Sequence, residues 1–138
     1  HVLPALIRKA HEAKLAGDAT MEIWGTGSAR REFLHVDDLA DACVFLMREY
    51  SDDRLINVGF GEDIAILDLV RLVNDVVGYT GEIVHDRTKP DGTPRKLMDS
   101  SRLNALGWRP SIGLREGIAQ TYEWFVQELE TGRIRDLS

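Results

Sequence analysis

The chain contains one cysteine, Cys43, so no internal disulfide can form, and the sequence predicts a reducing, cytoplasmic setting. No apolar run approaches the roughly 20 residues that a bilayer-spanning helix needs, and the first residues lack the layout of a signal peptide. Excess positive charge is missing too. A net charge of −6 argues against a nucleic-acid partner, because non-specific affinity for a polyanion comes from a net cationic surface. No complete G-x-G-x-x-G or G-x-x-G-x-x-G occurs, which excludes a dinucleotide pyrophosphate turn of the usual kind. None of Tyr50, Tyr79 and Tyr122 has a lysine four positions later. If the chain belongs to a redox protein, the cofactor half is expected outside this sequence.

What remains is ordinary for a globular domain. At 138 residues the chain is one domain's worth and long enough to bury a core. Leu6, Ile7, Ala10 and Ala13 repeat at helical spacing between Pro4 and Ala16, and Gly17-Asp18 ends that run. Residues 21–24 alternate like a short strand, and 25–29 read as a loop. Asp37 or Asp38 is expected to cap a helix running to about Tyr50, with Leu39, Ala42, Cys43, Leu46 and Met47 on one buried face. Cys43 is then expected to be inert core. Residues 55–58 read as a buried strand closed by Gly59, 66–77 as a helix and 82–84 as a strand. A short helix opening at Ser100 or Ser101 and an amphipathic helix over 114–129 complete an α/β pattern. The strands are too few for a full doubly wound sheet.

Two segments are dense in chemistry. Residues 89–99 place Pro90, Gly92 and Pro94 among Lys89, Arg95 and Lys96, a preorganised loop whose cations suit a phosphate. Residues 24–38 join Trp24, Gly25, Thr26, Gly27 and Ser28 to Arg30 and Arg31. The glycines permit close backbone approach, Trp24 offers a stacking face or a core plug, and arginine offers a planar fork to phosphate oxygens. His35 has no second histidine or cysteine at ligand spacing, so no metal is expected. His11 and His85 have no partner that singles them out. His1 titrates in the range of a general acid or base, although its terminal position favours no role by itself.

In this order the segments resemble the C-terminal part of the fucose synthases, a branch of the extended short-chain dehydrogenase/reductase family. The stretches that carry the resemblance are 1–9, Trp-Gly-Thr-Gly at 24–27, Arg-Glu-Phe-Leu-His-Val-Asp-Asp-Leu-Ala at 31–40, Ile-Asn-Val-Gly at 56–59, 76–81, the proline loop, Ser-Arg-Leu at 101–103 and Leu-Gly-Trp at 106–108. Arg-Glu-Phe-Leu-His-Val-Asp-Asp has relatives throughout the extended family, whereas Lys-Pro-Asp-Gly-Thr-Pro-Arg-Lys is specific to this branch.

The resemblance implies a parent that epimerises GDP-4-keto-6-deoxy-D-mannose and reduces it with NADPH. Residues 1–138 would be its single substrate-binding domain, with the NADP-binding Rossmann domain missing from this chain. His1 falls on the catalytic, cofactor-contacting histidine that donates a proton during epimerisation. Lys9, Trp24 and Arg31 fall on substrate-contacting positions, and Lys96 on a cation near the substrate. Some members have arginine where Lys9 stands. The serine-tyrosine-lysine set and the catalytic cysteine would lie upstream, and Cys43 does not match that cysteine. The chain alone is expected to bind no NADP(H) and to be catalytically incomplete. Segments near Asn57 and the Asp38 helix would pack on the Rossmann domain, so association with that domain or homodimerisation is expected. The alternatives are a stand-alone nucleotide-sugar-binding or interaction module, and part of another NAD-dependent nucleotide-sugar epimerase or dehydratase.

Overall fold

A computed structural model describes residues 1–132. The elements in chain order are α1 (Val2–Ala16), β1 (Thr20–Trp24), β2 (Arg30–Glu32), α2 (Val36–Glu49), β3 (Asp63–Ala65), α3 (Ile66–Val77), β4 (Glu82–Asp86), β5 (Arg95–Lys96), α4 (Ser101–Ala105) and α5 (Leu114–Glu130). The periodic apolar positions do what their spacing dictates. Leu6, Ile7, Ala10 and Ala13 of α1 meet Leu69, Val70, Val73 and Val77 of α3, and Ile118 of α5 closes the cluster. Met21 and Ile23, alternating along β1, enter it from the sheet.

Two small sheets flank this core. β1 and β4 run parallel, with Thr20 opposite Glu82 and Trp24 opposite Asp86. β2 is the middle strand of the second sheet, antiparallel to β3 and parallel to β5. β5 lies inside the proline loop, where Pro94 tolerates an edge position and its carbonyl accepts the Arg30 N–H at 2.8 Å. Strands of two or three residues carry no readable period, and none of β2, β3 and β5 is predicted by the sequence pattern.

Three expectations need correction. Residues 55–58 form no strand: Leu55 is 92% exposed, and Ile56 and Val58 only brush a second, smaller cluster around Ala42, Leu103 and Trp108. No strand lies beside them among the described residues, so their backbone joins no ladder. Second, the cap of α2 is His35, whose Nδ1 accepts the Asp37 N–H at 3.3 Å. Third, Cys43 is exposed, because the apolar residues of α2 divide between two faces. Ala42 and Leu46 turn inward, while Val36, Leu39, Val44 and Met47 stay open to solvent.

Asp38 does something other than capping. It is buried, and its carboxylate accepts from Ser111 N–H and Oγ–H and from Ile112 N–H at 2.8–3.1 Å. Trp108 Nε1–H donates to Asp41 at 2.8 Å from the same side. These bonds tie α2 to the segment that leads into α5.

Candidate functional site

Side-chain alternation sorts the cations of the second sheet. Arg30 pairs with Arg95 in register and Arg31 with Lys96, so the two pairs occupy opposite faces of the sheet. Asp63 claims the first pair. Its nearly covered carboxylate takes Arg30 Nε at 2.7 Å and the Arg95 guanidinium, and hydrogen bonds from both hold its pKa below the usual carboxylate range. Arg31 is left on the other side. Its Nη1 donates to the backbone carbonyls of Arg30 and Thr93, both at 2.7 Å, and among the described residues no carboxylate pairs with the guanidinium.

A cavity of about 500 Å³ opens on that guanidinium, within the range of small-molecule sites. Leu6, Ile23, Ile66 and Pro90 give it apolar walls, and Lys9, Arg31 and Asp91 stand at its polar points. Lys9 reaches from α1 to the Glu22 carbonyl at 2.5 Å. Trp24, on the last residue of β1, is 65% exposed, so it is a wall of the cavity and no core plug. Lys89 sits over its ring at 5.6 Å from the centroid. An exposed indole ring in a cavity shared with Lys9 and Arg31 is a chemically sound receptacle for a flat ring carrying phosphates.

The glycines of the 24–28 turn are required by this architecture. Gly25 and Gly27 have φ of 70° and 74°, in the left-handed region. A Cβ at Gly25 would meet an Asp91 carboxylate oxygen at 2.4 Å, and one at Gly27 would meet Leu67 Cβ at 2.9 Å. The turn is thus pressed between the proline loop and the start of α3.

Of the residues expected to bind substrate, the structure brings Lys9, Trp24 and Arg31 together around one cavity. Lys96 shares the face of Arg31 without lining the cavity. His1 is exposed as the cap residue of α1 and makes no side-chain capping bond. His11 and His85 do have partners, Tyr122 Oη and the Gly25 carbonyl, each at 3.0 Å. No group of three or more His, Cys, Asp or Glu is placed to hold a metal among the described residues. Sequence reasoning missed Glu32, whose carboxylate accepts from Gly61 N–H at 2.7 Å and Met98 N–H at 3.1 Å. It ties two flanking loops to β2, and nothing in its spacing announces partners so far along the chain.

The helices and short strands form an α/β unit whose fold matches that of the epimerase and short-chain dehydrogenase/reductase superfamily. Residues 1–59 match the NAD dependent epimerase/dehydratase family. The chain is 58% identical over 129 residues to the putative GDP-L-fucose synthase 2 of Arabidopsis thaliana, covering 94% of this chain and 39% of that protein. It is 45% identical over 142 residues to the GDP-L-fucose synthase of Escherichia coli K12, covering 96% and 44%. The crystal structure of a GDP-L-fucose synthetase from Naegleria fowleri bound to NADP superposes with a TM-score of 0.88. Identity is 27%, over 97% of this chain and 42% of that one. The chain is a homologue of the GDP-L-fucose synthases and spans about two fifths of the length of the relatives it matches.

Proposed function

We propose that this chain is the GDP-sugar-binding part of a GDP-L-fucose synthase, which epimerises GDP-4-keto-6-deoxy-D-mannose and reduces it with NADPH. The observation that carries the reading is the Arg31 guanidinium, which no carboxylate pairs among the described residues, set on one cavity with Lys9 and the exposed Trp24. Arg31 and Lys9 hold the diphosphate, Trp24 stacks on a ring and Lys96 adds long-range attraction. The experiment is calorimetry with GDP, guanosine and NADPH. Saturable GDP binding with no response to guanosine supports the phosphate role, and equal affinity for guanosine and GDP removes it.

Residues 1–138 act in this reading as one substrate-binding domain, with NADP(H) held by a Rossmann domain that this sequence does not supply. Helices α2, α3 and α4 are preceded by His35, Ala65 and Ser100, and α5 by the single Gly113, the next glycine, Gly117, lying within the helix and not in a turn before it. The residues present therefore do not supply the glycine turn that would hold the dinucleotide's pyrophosphate. His1 is proposed to be the proton donor of the epimerisation in the intact enzyme. Replacing it by Asn there should abolish solvent deuterium uptake at the carbons flanking the ketone while reduction persists. Wild-type exchange at both carbons refutes the role.

The Rossmann domain is proposed to cover the outer face of α2 and residues 55–58. Val36, Leu39, Val44 and Met47 of α2 and Leu55 lie open to solvent, apolar surface of the kind that a partner covers. The isolated chain is expected to self-associate through that face and to bind a hydrophobic dye. Replacing Leu39 and Met47 together by glutamate should abolish both, read by sedimentation and fluorescence. A wild-type chain that is monomeric at high concentration and binds no dye contradicts the assignment.

A further inference from the structure

Asp91 is the point at which the two chemistry-dense segments meet. Its Oδ1 accepts the Thr26 N–H at 2.6 Å and the Gly27 N–H at 3.2 Å, and its Oδ2 accepts the Thr26 hydroxyl at 2.8 Å. Bonds from the Thr26 hydroxyl and the two amides hold its pKa below the ordinary carboxylate value. At the near end of the loop the Lys89 N–H donates to Asp86 O at 3.3 Å and the Lys89 ammonium lies over the Trp24 ring. Arg31 donates to Thr93 O, and Pro94 O accepts from Arg30, both at the far end of the proline segment. Pro90 and Asp91 both line the cavity together with Lys9 and Leu6. Between those two ends, the contact that fastens this wall to the turn is the Asp91 carboxylate.

The glycines of the turn point the same way. At Gly25 any side chain would occupy the space of the Asp91 carboxylate, and the left-handed backbone at Gly25 and Gly27 aims successive N–H groups outward at it. A carboxylate left bare beside Lys9 and Arg31 would compete with a phosphate for those cations. Three donors engage it instead, so the loop closes the cavity while those cations stay available for an anion.

We propose that Asp91 is a positioning residue, a latch that fastens the proline loop to the Thr26–Gly27 turn and so shapes the diphosphate end of the cavity. The latch itself is a statement about this chain's own contacts, and its consequence for nucleotide affinity rests on the function proposed above. It acts through Thr26 and Gly27 and touches no phosphate.

Amide-resolved magnetic resonance of the chain tests the latch without ligand. Asp91→Asn at neutral pH should shift the Thr26 and Gly27 amide protons upfield, and Asp91→Ala should raise the mobility of residues 89–94. The unfolding midpoint should barely move, since the loop lies outside both apolar clusters. Unchanged Thr26 and Gly27 amides in both variants overturn the latch. Calorimetry with GDP then tests its consequence. Asp91→Ala should weaken binding about tenfold, the scale of a lost charge-assisted contact. Asp91→Asn should recover part of the loss, and Thr26→Ala added to Asp91→Ala should cost nothing more. Affinity in Asp91→Ala equal to or tighter than wild type overturns the positioning role. Absence of any GDP binding by the wild-type chain would instead refute the nucleotide-sugar reading, leaving the latch judged by the amide shifts.

Discussion

Replacing Arg31 by alanine is expected to weaken GDP binding by about ten- to a hundredfold, whereas replacing Arg30 by alanine should leave binding nearly intact and lower stability. The two residues are neighbours of identical type, and only strand alternation separates their fates. Arg30 is committed to Asp63, with Nε on the carboxylate at 2.7 Å and a second nitrogen on the Asp63 carbonyl at 2.9 Å. Among the described residues no carboxylate pairs with Arg31, whose Nη1 bonds two backbone carbonyls and whose side chain lines the cavity. Hydrogen bonds to charged groups contribute roughly 1.5–3 kcal/mol, which converts to that range of affinity. Arg31→Lys should recover only part, since a point charge replaces a planar fork. Calorimetry and denaturant unfolding of the three variants check the contrast. Equal effects on binding from the two alanine variants would show that alternation does not sort these cations.

The largest effect on folding is expected at Asp38. Removal of its side chain leaves Ser111 N–H and Ile112 N–H without an acceptor in a part-buried setting. The expected loss is about 2–3 kcal/mol, the scale for stranding hydrogen-bonding groups of this kind. Burial works against the Asp38 carboxylate, but the donors from Ile112 and Ser111, with His35 nearby, outweigh it and hold its pKa below the ordinary 3.8. A folded pKa below the unfolded one means that the unfolded chain takes up more protons as acid is added. The stabilisation is therefore complete above pH 3.8 and is lost as the pH falls through the lower folded value. Asp63, Asp91 and Asp99 are shifted the same way and act over the same acid window. Urea unfolding at neutral pH and near pH 3 checks both points. Asp38→Ala should be much less stable at neutral pH, and its deficit should narrow in acid. A deficit that does not change with pH would mean that the carboxylate charge is not what holds α2 to the 111–112 segment.

Much of this architecture is legible before any coordinates. The helical repeats of α1, α3 and α5 are long enough for period to show, and Gly17 and Gly78 mark two of their ends. The two chemistry-dense segments are also visible, because glycines, prolines, arginines and an aromatic seldom cluster without a surface to shape. The failures have a common physical origin in long-range pairing. Residues 55–58 are apolar enough to read as a buried strand, yet a strand exists through its neighbour and, among the described residues, none lies beside them. Helix α2 is apolar on two faces, and the sequence cannot say that Ala42 meets Leu103 while Cys43 meets water. Asp38 looks like a cap because it stands at a helix start, but its partners lie at 111 and 112. Asp91 looks like one more surface charge until folding brings Thr26 to it.

The most direct test of the site is a map of amide and indole shifts in the labelled chain as GDP is added. Binding at the cavity predicts saturable shifts at Lys9, the Trp24 indole, Arg31 and the 89–94 loop, with the groove between His35 and Trp124 silent. Saturable shifts centred on His35, Val36 and Trp124, or no saturable shift at any concentration of GDP, would contradict it.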